Sequence, residues 1–422
     1  MKLDQLFLKK AAQWALQFEH FAILNSNNCN TDKYGKYNTI IACKSISKFE
    51  GESGLTGLNK WLNKQNNWVF GHLNYDVKNE IENLSSKHKA NSAFPNIHFF
   101  VPETIIIEDY EGKITIQSKL QISQLYKEIN AIKIHHRAPK NKILVQETYF
   151  KNEYIEAVNY LQKQIIEGNI YEINFCKSLV GKNVEINEIL ATYNLLKANT
   201  NAPFSVLYRV KDSYLFCASP ERFIQKNDFK IISQPIKGTI HRGKNETEDE
   251  DLKMKLLHDE KEKAENVMIV DLVRNDLSKI AEIGTVKVSE LFGIYTFKTV
   301  HQMISTIEAQ LQKQITFENI IKALFPMGSM TGAPKVSAMQ LIDETEKINR
   351  DIFSGTFGYI SPDKNFDFNV IIRSIIYQSK QRQIKIFAGS AITHYADSYK
   401  EFDECKLKSK ALLKTIHGKI EK

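Results

Sequence analysis

Ile352-Phe353-Ser354-Gly355-Thr356-Phe357-Gly358-Tyr359-Ile360 runs into Ser361-Pro362-Asp363-Lys364-Asn365 and continues as Phe366-Asp367-Phe368-Asn369-Val370. Two runs rich in aromatic and β-branched residues, separated by Pro, Asp and Asn, read as a hairpin, because those residues fix the chain reversal that sets neighbouring strands antiparallel. The pattern predicts paired strands over 352–360, 366–377 and 383–391. Outward from it, strands are expected at 204–209, 214–217, 229–233, 286–291 and 295–300, and nearer the start at 68–73, 97–101, 104–107 and 113–116. Helical spacing of apolar residues appears at 154–167, 246–275, from Pro334 onward, and 398–416. Short reversals rather than long crossovers favour an α+β fold, with layered antiparallel β-sheets flanked by helices.

The stretch Lys133-Ile134-His135-His136-Arg137-Ala138-Pro139-Lys140 is basic and broken by proline. It marks the expected boundary between an N-terminal part, 1–142, and a catalytic part, 143–422. The chain has 422 residues, 42% of them hydrophobic, which suffices for a large core. Its formal charge is +8, but the lysines are scattered among acids. A nucleic-acid partner would call for a basic patch interleaved with aromatics, so none is expected. A mild positive field suits small anionic substrates instead. Five cysteines (Cys29, Cys43, Cys176, Cys217 and Cys405) lie far apart without a CxxC pair, which argues against disulfides and structural zinc. Charges interrupt the first residues, and no apolar run reaches the roughly 18 residues of a spanning segment. Neither signal peptide nor membrane span is expected, and a cytoplasmic location follows.

Several stretches suggest chemistry. Lys237, in Pro235-Ile236-Lys237-Gly238-Thr239, is expected where a strand breaks into a turn. A lone lysine there is ordinarily a solvated cation, but a pinned amine of lowered pKa is a nucleophile. Glu262 and Glu265 share a face of the 246–275 helix, and Glu401, Glu404 and Lys408 repeat the arrangement on the last helix. Two helices with paired carboxylates could chelate a hard cation such as Mg²⁺, although Glu-x-x-Glu is also common on solvated helices. Gly328-Ser329-Met330-Thr331-Gly332-Ala333-Pro334-Lys335 precedes a helix and reads as a carboxylate cradle or a simple cap; it lacks Walker spacing. Gly389 ends a strand and allows close backbone approach. Arg373, inside the apolar run 370–376, needs an anionic partner, either a structural or a substrate carboxylate. Glu221 follows Ser219-Pro220, where an acid in a partly apolar site can be tuned for general-acid work or can simply cap a turn.

Taken together, these residues resemble the chorismate-utilising enzymes, the family of anthranilate synthase large subunit, aminodeoxychorismate synthase component I, and isochorismate and salicylate synthases. The matching stretches are 219–221, 235–239, 259–277, 328–335, Arg373, 389–391 and 401–408, in the family's order. The resemblance implies the anthranilate synthase large-subunit fold. It also implies Mg²⁺ held by Glu265 and Glu404 with Glu262 and Glu401 nearby, and chorismate carboxylates met by Arg373, Lys408, Gly389 and the backbone at Thr331-Gly332. Glu221 would protonate the departing 4-hydroxyl. Anthranilate synthases typically carry alanine where Lys237 stands. A lysine there is similar to the members that aminate C4, in which the amine attacks C2, the 4-hydroxyl leaves, and ammonia then adds at C4 and displaces the lysine. The expected product is 4-amino-4-deoxychorismate, a precursor of p-aminobenzoate and folate. The alternatives are an anthranilate synthase large subunit or a non-catalytic chorismate-binding protein.

The chain departs from the family's pattern in several places. The usual Tyr-Gln-x-Asn is Tyr171-Glu172-Ile173-Asn174, and the water-activating lysine that isochorismate and salicylate synthases place near there is missing. The family's Val-x-His histidine falls on Gln302, beside His301. Ile23-Leu24-Asn25-Ser26 replaces the Leu-Leu-Glu-Ser feedback motif, which speaks against tryptophan regulation. No cysteine has a Gly-x-Cys-x-Gly setting, so ammonia is expected from a separate glutamine amidotransferase subunit or from solution. Whether Lys237 is an amine or an ammonium depends on burial, which lowers its pKa, against nearby carboxylates, which raise it.

Overall fold

The computed structural model describes residues 3–29, 32–51, 53–88, 92–134, 143–298 and 300–421. Two long strands, Tyr37–Phe49 and Ile97–Asp109, pair antiparallel and pass through both layers of sheet. Their ladder slips between Ser45 and Ser47, facing Val101 and Pro102, and such a bulge bends a strand. On one side of the bend the ladder leads through Val69–Leu73, Thr356–Ile360, Phe366–Val370, Arg222–Asn227 and Lys230–Gln234 to Val300–Gln310. On the other it leads through His20–Asn25, Phe204–Val210, Ser213–Ser219, Ser374–Gln378 and Gln383–Ile392 to Glu172–Gly181. All these pairings are antiparallel, and the layered α+β expectation holds.

Successive residues of a strand face opposite ways, and the core follows that alternation. Ala22, Val206, Tyr208 and Ile376 join Phe70, Phe99, Phe357 and Phe368 in one cluster shared by the two layers. Phe21, Ile23, Leu207, Ile375 and Tyr377 turn the other way and pack against helices Gln5–Ala15, Ile122–Ala131, Ile189–Thr200 and Ser398–Thr415. Residues 135–142 of the expected boundary lie outside the described residues. Strands from before and after it alternate in both layers, with His20–Asn25 beside Phe204–Val210 and Val69–Leu73 beside Thr356–Ile360. Among the described residues, no helix is long and apolar enough to cross a membrane. All five cysteines are buried, and none is in a disulfide among the described residues.

Several expected elements need correction. The 366–377 strand is two strands, because Phe366–Val370 pairs in one layer and Ser374–Gln378 in the other, and the chain crosses between layers at 371–373. The 246–275 helix is likewise two, Glu246–Leu257 and Glu260–Ser278. The carboxylate of Asp259 accepts the N–H of Glu262 at 3.1 Å and so starts a new helix at the break. The 97–101 and 104–107 strands are one, Ile97–Asp109, while 295–300 divides between the end of Lys287–Thr296 and the start of Val300–Gln310. Residues 352–355 form a turn before the strand Thr356–Ile360.

Candidate active site

Lys237 lies not at a strand end but second in a new strand, Ile236–His241, which resumes after Pro235. Its ladder with Val300–Gln310 slips between Ile236 and Thr239, and Gly238 takes φ +85°. That bulge turns the lysine inward, where it is 8% exposed. Its Nζ donates to Oε1 of Glu172, the first residue of Glu172–Gly181. Gly332 packs against Glu172 so closely that a Cβ there would sit 2.1 Å from the Glu172 carbonyl. Burial works to lower the Lys237 pKa, but Glu172, Glu265 and Glu221 outweigh it and hold the group above the ordinary lysine value. That balance favours the ammonium form.

The glutamates lie on the two helices where the spacing predicted them. Burial pushes Glu265 up to about 7, with Lys237 opposing and Glu262 and Glu172 adding to the shift. Glu262 and Glu401 are also raised, chiefly by burial. Glu404 is lowered: burial acts to raise it, but Lys408, 2.5 Å away, together with Lys261 and Lys237 outweighs burial. Lys261 joins the helices, with Nζ 3.2 Å from Glu401 Oε1 and 3.7 Å from Glu265 Oε1. The buried Oε1 of Glu265 nevertheless has no hydrogen-bond partner. Such a carboxylate oxygen is left without a donor despite the nearby ammonium, and an all-oxygen donor set suits Mg²⁺, so the residues fit that ion. Among the described residues, only His20, Glu50 and His98 bring three metal-binding atoms within 4.8 Å of one another, so the glutamates are not themselves drawn together so tightly. Like charges keep them apart, with Lys261 as the internal cation.

Burial also pushes Glu221 up to about 7, against the pull of Ser329, Lys237 and Lys408. Ser329 donates its hydroxyl to Glu221 Oε1 at 2.7 Å. Arg373 sits at the crossing between layers with φ +51° rather than inside a strand. Its Nη1 donates to the Lys408 carbonyl at 3.0 Å, and among the described residues no carboxylate pairs with it. Lys408 Nζ donates to the Gly389 carbonyl at 2.8 Å, and a Cβ at Gly389 would meet Cys176 Sγ at 2.4 Å. Thr331 is fully buried; its hydroxyl donates to Met327 at 3.0 Å and its N–H to Gly328 at 3.1 Å. Those donors are engaged inside the loop, which narrows the expected cradle to Gly332 and its neighbours.

Four contributors escaped the sequence reading. Glu172 appears there only as a departure from a motif, and Lys261 and Ser329 carry no signal of their own. The fourth is the pair Glu346–Arg350, two fully or nearly buried side chains held at 2.6 and 2.9 Å. Arg350 donates to the carbonyls of Met330 at 2.6 Å and Asn174 at 2.8 Å, while Glu346 accepts the Cys176 N–H at 2.9 Å. The pair ties the glycine loop to the strand that carries Glu172. An i, i+4 Glu–Arg spacing at a helix end is its only trace in the sequence. His301 is tethered by Asp249 at 2.9 Å and Thr296 at 3.0 Å, and Gln302 beside it is buried.

Residues 9–414 match the chorismate binding enzyme family. The chain belongs to that family. It is 32% identical over 357 residues to aminodeoxychorismate synthase component 1 of Escherichia coli (strain K12), covering 82% of this chain and 76% of that protein. It is 33% identical over 358 residues to an anthranilate synthase component I-like protein of Synechocystis sp., covering 83% of this chain and 73% of the other. A probable chloroplastic aminodeoxychorismate synthase of Oryza sativa subsp. japonica is 32% identical over 82% of this chain, which spans 43% of that relative's length. In fold, the chain is similar to anthranilate synthase component I from Streptococcus pneumoniae TIGR4, with a TM-score of 0.79 and 23% identity, covering 89% of this chain and 92% of that one.

Proposed function

We propose that this chain aminates chorismate at C4, giving 4-amino-4-deoxychorismate for p-aminobenzoate and folate synthesis in the cytoplasm. The observation that carries this reading is Lys237, buried against Glu172 and within the electrostatic reach of Glu221 and Glu265. The relatives named aminodeoxychorismate synthase support it. Before Lys237 can act as a nucleophile its ammonium must lose a proton, and Glu172, already hydrogen-bonded to it, is placed to take that proton. The freed Nζ then forms a bond to C2 of chorismate as the C4–O bond breaks, and Glu221 supplies a proton so that the hydroxyl leaves as water. Ammonia next bonds to C4 as the Nζ–C2 bond breaks, and Lys237 is restored.

Arg373, Lys408, Gly389 and the Gly332 backbone hold the substrate carboxylates, and orientation against Lys237 supplies much of the rate. Glu265 and Glu404, with Glu262 and Glu401 close by, would hold Mg²⁺. When bound, the ion anchors the ring carboxylate and balances the glutamates' charge. A separate glutamine amidotransferase subunit supplies the ammonia, in keeping with the "component 1" of the Escherichia coli relative's name.

The second reading is an anthranilate synthase large subunit, favoured by the name of the Synechocystis relative. Incubation with chorismate, Mg²⁺ and ammonium, followed by chromatography of the products, separates the two. 4-Amino-4-deoxychorismate is expected. Anthranilate would overturn the proposal in favour of the second reading, and no Mg²⁺-dependent chorismate consumption would mean a non-catalytic binding protein.

A further inference from the structure

A second constellation of ionisable side chains lies apart from the residues that handle chorismate. His20 opens the strand His20–Asn25, His98 lies in Ile97–Asp109 opposite His72, and Glu50 directly follows Tyr37–Phe49. Their ligand atoms lie within 4.8 Å of one another. His98 is fully buried and His20 is 7% exposed, yet Nε2 of His98 and Nδ1 of His20 have no hydrogen-bond partner. Buried polar atoms without a partner are rare because they lose their hydration and gain nothing in return. The rest of the setting is ordered. Nδ1 of His98 meets the Tyr208 hydroxyl at 2.6 Å, and the His20 and His98 rings stack with centroids 5.1 Å apart.

We propose that His20, Glu50 and His98 form a second metal site, which takes a zinc-class transition cation through Nδ1 of His20, Nε2 of His98 and the Glu50 carboxylate. Two imidazoles and one carboxylate make a familiar zinc donor set with one position left for water, whereas Mg²⁺ prefers oxygen donors alone. The Tyr208 contact to the far nitrogen of His98 fixes the ring, as outer partners of metal-bound histidines do. Both rings are held low by burial, His20 additionally by Lys48 and His98 by His72. Metal bonds of about 2.0–2.2 Å place tetrahedral ligand atoms roughly 3.3 Å apart, so the three groups, within 4.8 Å here, would close in on binding.

Two lysines compete for the carboxylate. Lys48 and Lys211 approach Glu50 Oε1 at 2.7 and 3.4 Å. Their side chains are 40% and 57% exposed, so each ammonium can swing into water when a cation arrives. A bound ion would staple the starts or ends of three strands that belong to both sheet layers.

The test is a titration of the whole chain with Co²⁺ in saturating Mg²⁺, which keeps the glutamate cluster filled. The wild type should take up one equivalent, displaced by Zn²⁺, with visible absorption typical of nitrogen and oxygen ligands and no thiolate band. His20→Ala and Glu50→Gln should each weaken uptake at least tenfold while keeping the circular dichroism and the chorismate activity of the wild type. Lys48→Ala should tighten it, since a competing ammonium is gone. No saturable uptake by the wild type, or unchanged uptake in both ligand variants, would overturn the site, and weaker uptake by Lys48→Ala would count against it.

Discussion

Lys237 and Glu172 form an ion pair closed off from solvent, with 8% of the lysine and 1% of the glutamate exposed. Burial alone would favour a neutral amine; the surrounding carboxylates reverse that preference. The resting state is thus a charged, tethered lysine. Its reactivity depends on handing over one proton, and this makes Glu172 as consequential as the lysine.

Glu172→Gln removes the largest source of that preference and leaves burial opposed by Glu265 and Glu221 alone, so the Lys237 pKa should fall. With no acceptor beside it the lysine's proton must pass to solvent, so kcat/KM for amination should gain a limb that rises with pH. The maximal rate should also fall, because the proton acceptor is lost. A pH profile with ammonia as nitrogen donor, corrected for free base, checks this; a profile unchanged from the wild type would contradict it.

Glu221 acts as an acid only while protonated, and burial holds it near 7. Activity should therefore decline as pH rises past that value, with a midpoint that belongs to the coupled site. Glu221→Gln should cut kcat on the order of 10²–10⁴-fold and change KM little. Steady-state kinetics across pH reads both effects.

Glu265, near 7 instead of the ordinary 4.5, binds its proton more tightly folded than unfolded. Its contribution to stability is present below the unfolded value and is lost as pH climbs through the folded one. In metal-free protein, melting temperature should fall across that window, and Glu265→Gln should flatten the fall. Mg²⁺ at about 100 times Kd should add about 2.7 kcal/mol, more above the window than below it, since a protonated carboxylate is a poor ligand. Thermal melts with Mg²⁺ and with a chelator, across pH, test both statements.

Arg350→Ala strands Glu346 in the core and frees the carbonyls of Met330 and Asn174. Breaking such a buried pair costs about 3–5 kcal/mol. Urea unfolding should show that loss, with amination falling too as the glycine loop and the Glu172 strand come apart. Full stability in the variant would mean the pair does not clamp them.

Much of this was legible in the chain. The reversal at Ser361–Asn365 announced antiparallel layers, and Glu262, Glu265, Glu401, Glu404 and Lys408 lie on the faces their spacing required. What escaped depended on pairing between distant segments. Nothing local distinguishes Phe366–Val370 from Ser374–Gln378, since both are apolar; only their different partners divide them. Glu172 stands 65 residues from Lys237, and no periodicity links them. The break at Asp259 was missed because a helix restarted by its own cap keeps the same composition on both sides.

The most direct measurement is the rate at which Lys237→Ala forms 4-amino-4-deoxychorismate from chorismate and ammonium, alongside its affinity for chorismate. A lysine that acts on the ring while other groups hold the carboxylates predicts a rate lower by on the order of 10²-fold or more, with chorismate still bound. Full activity with ammonia in that variant would contradict the covalent role of Lys237.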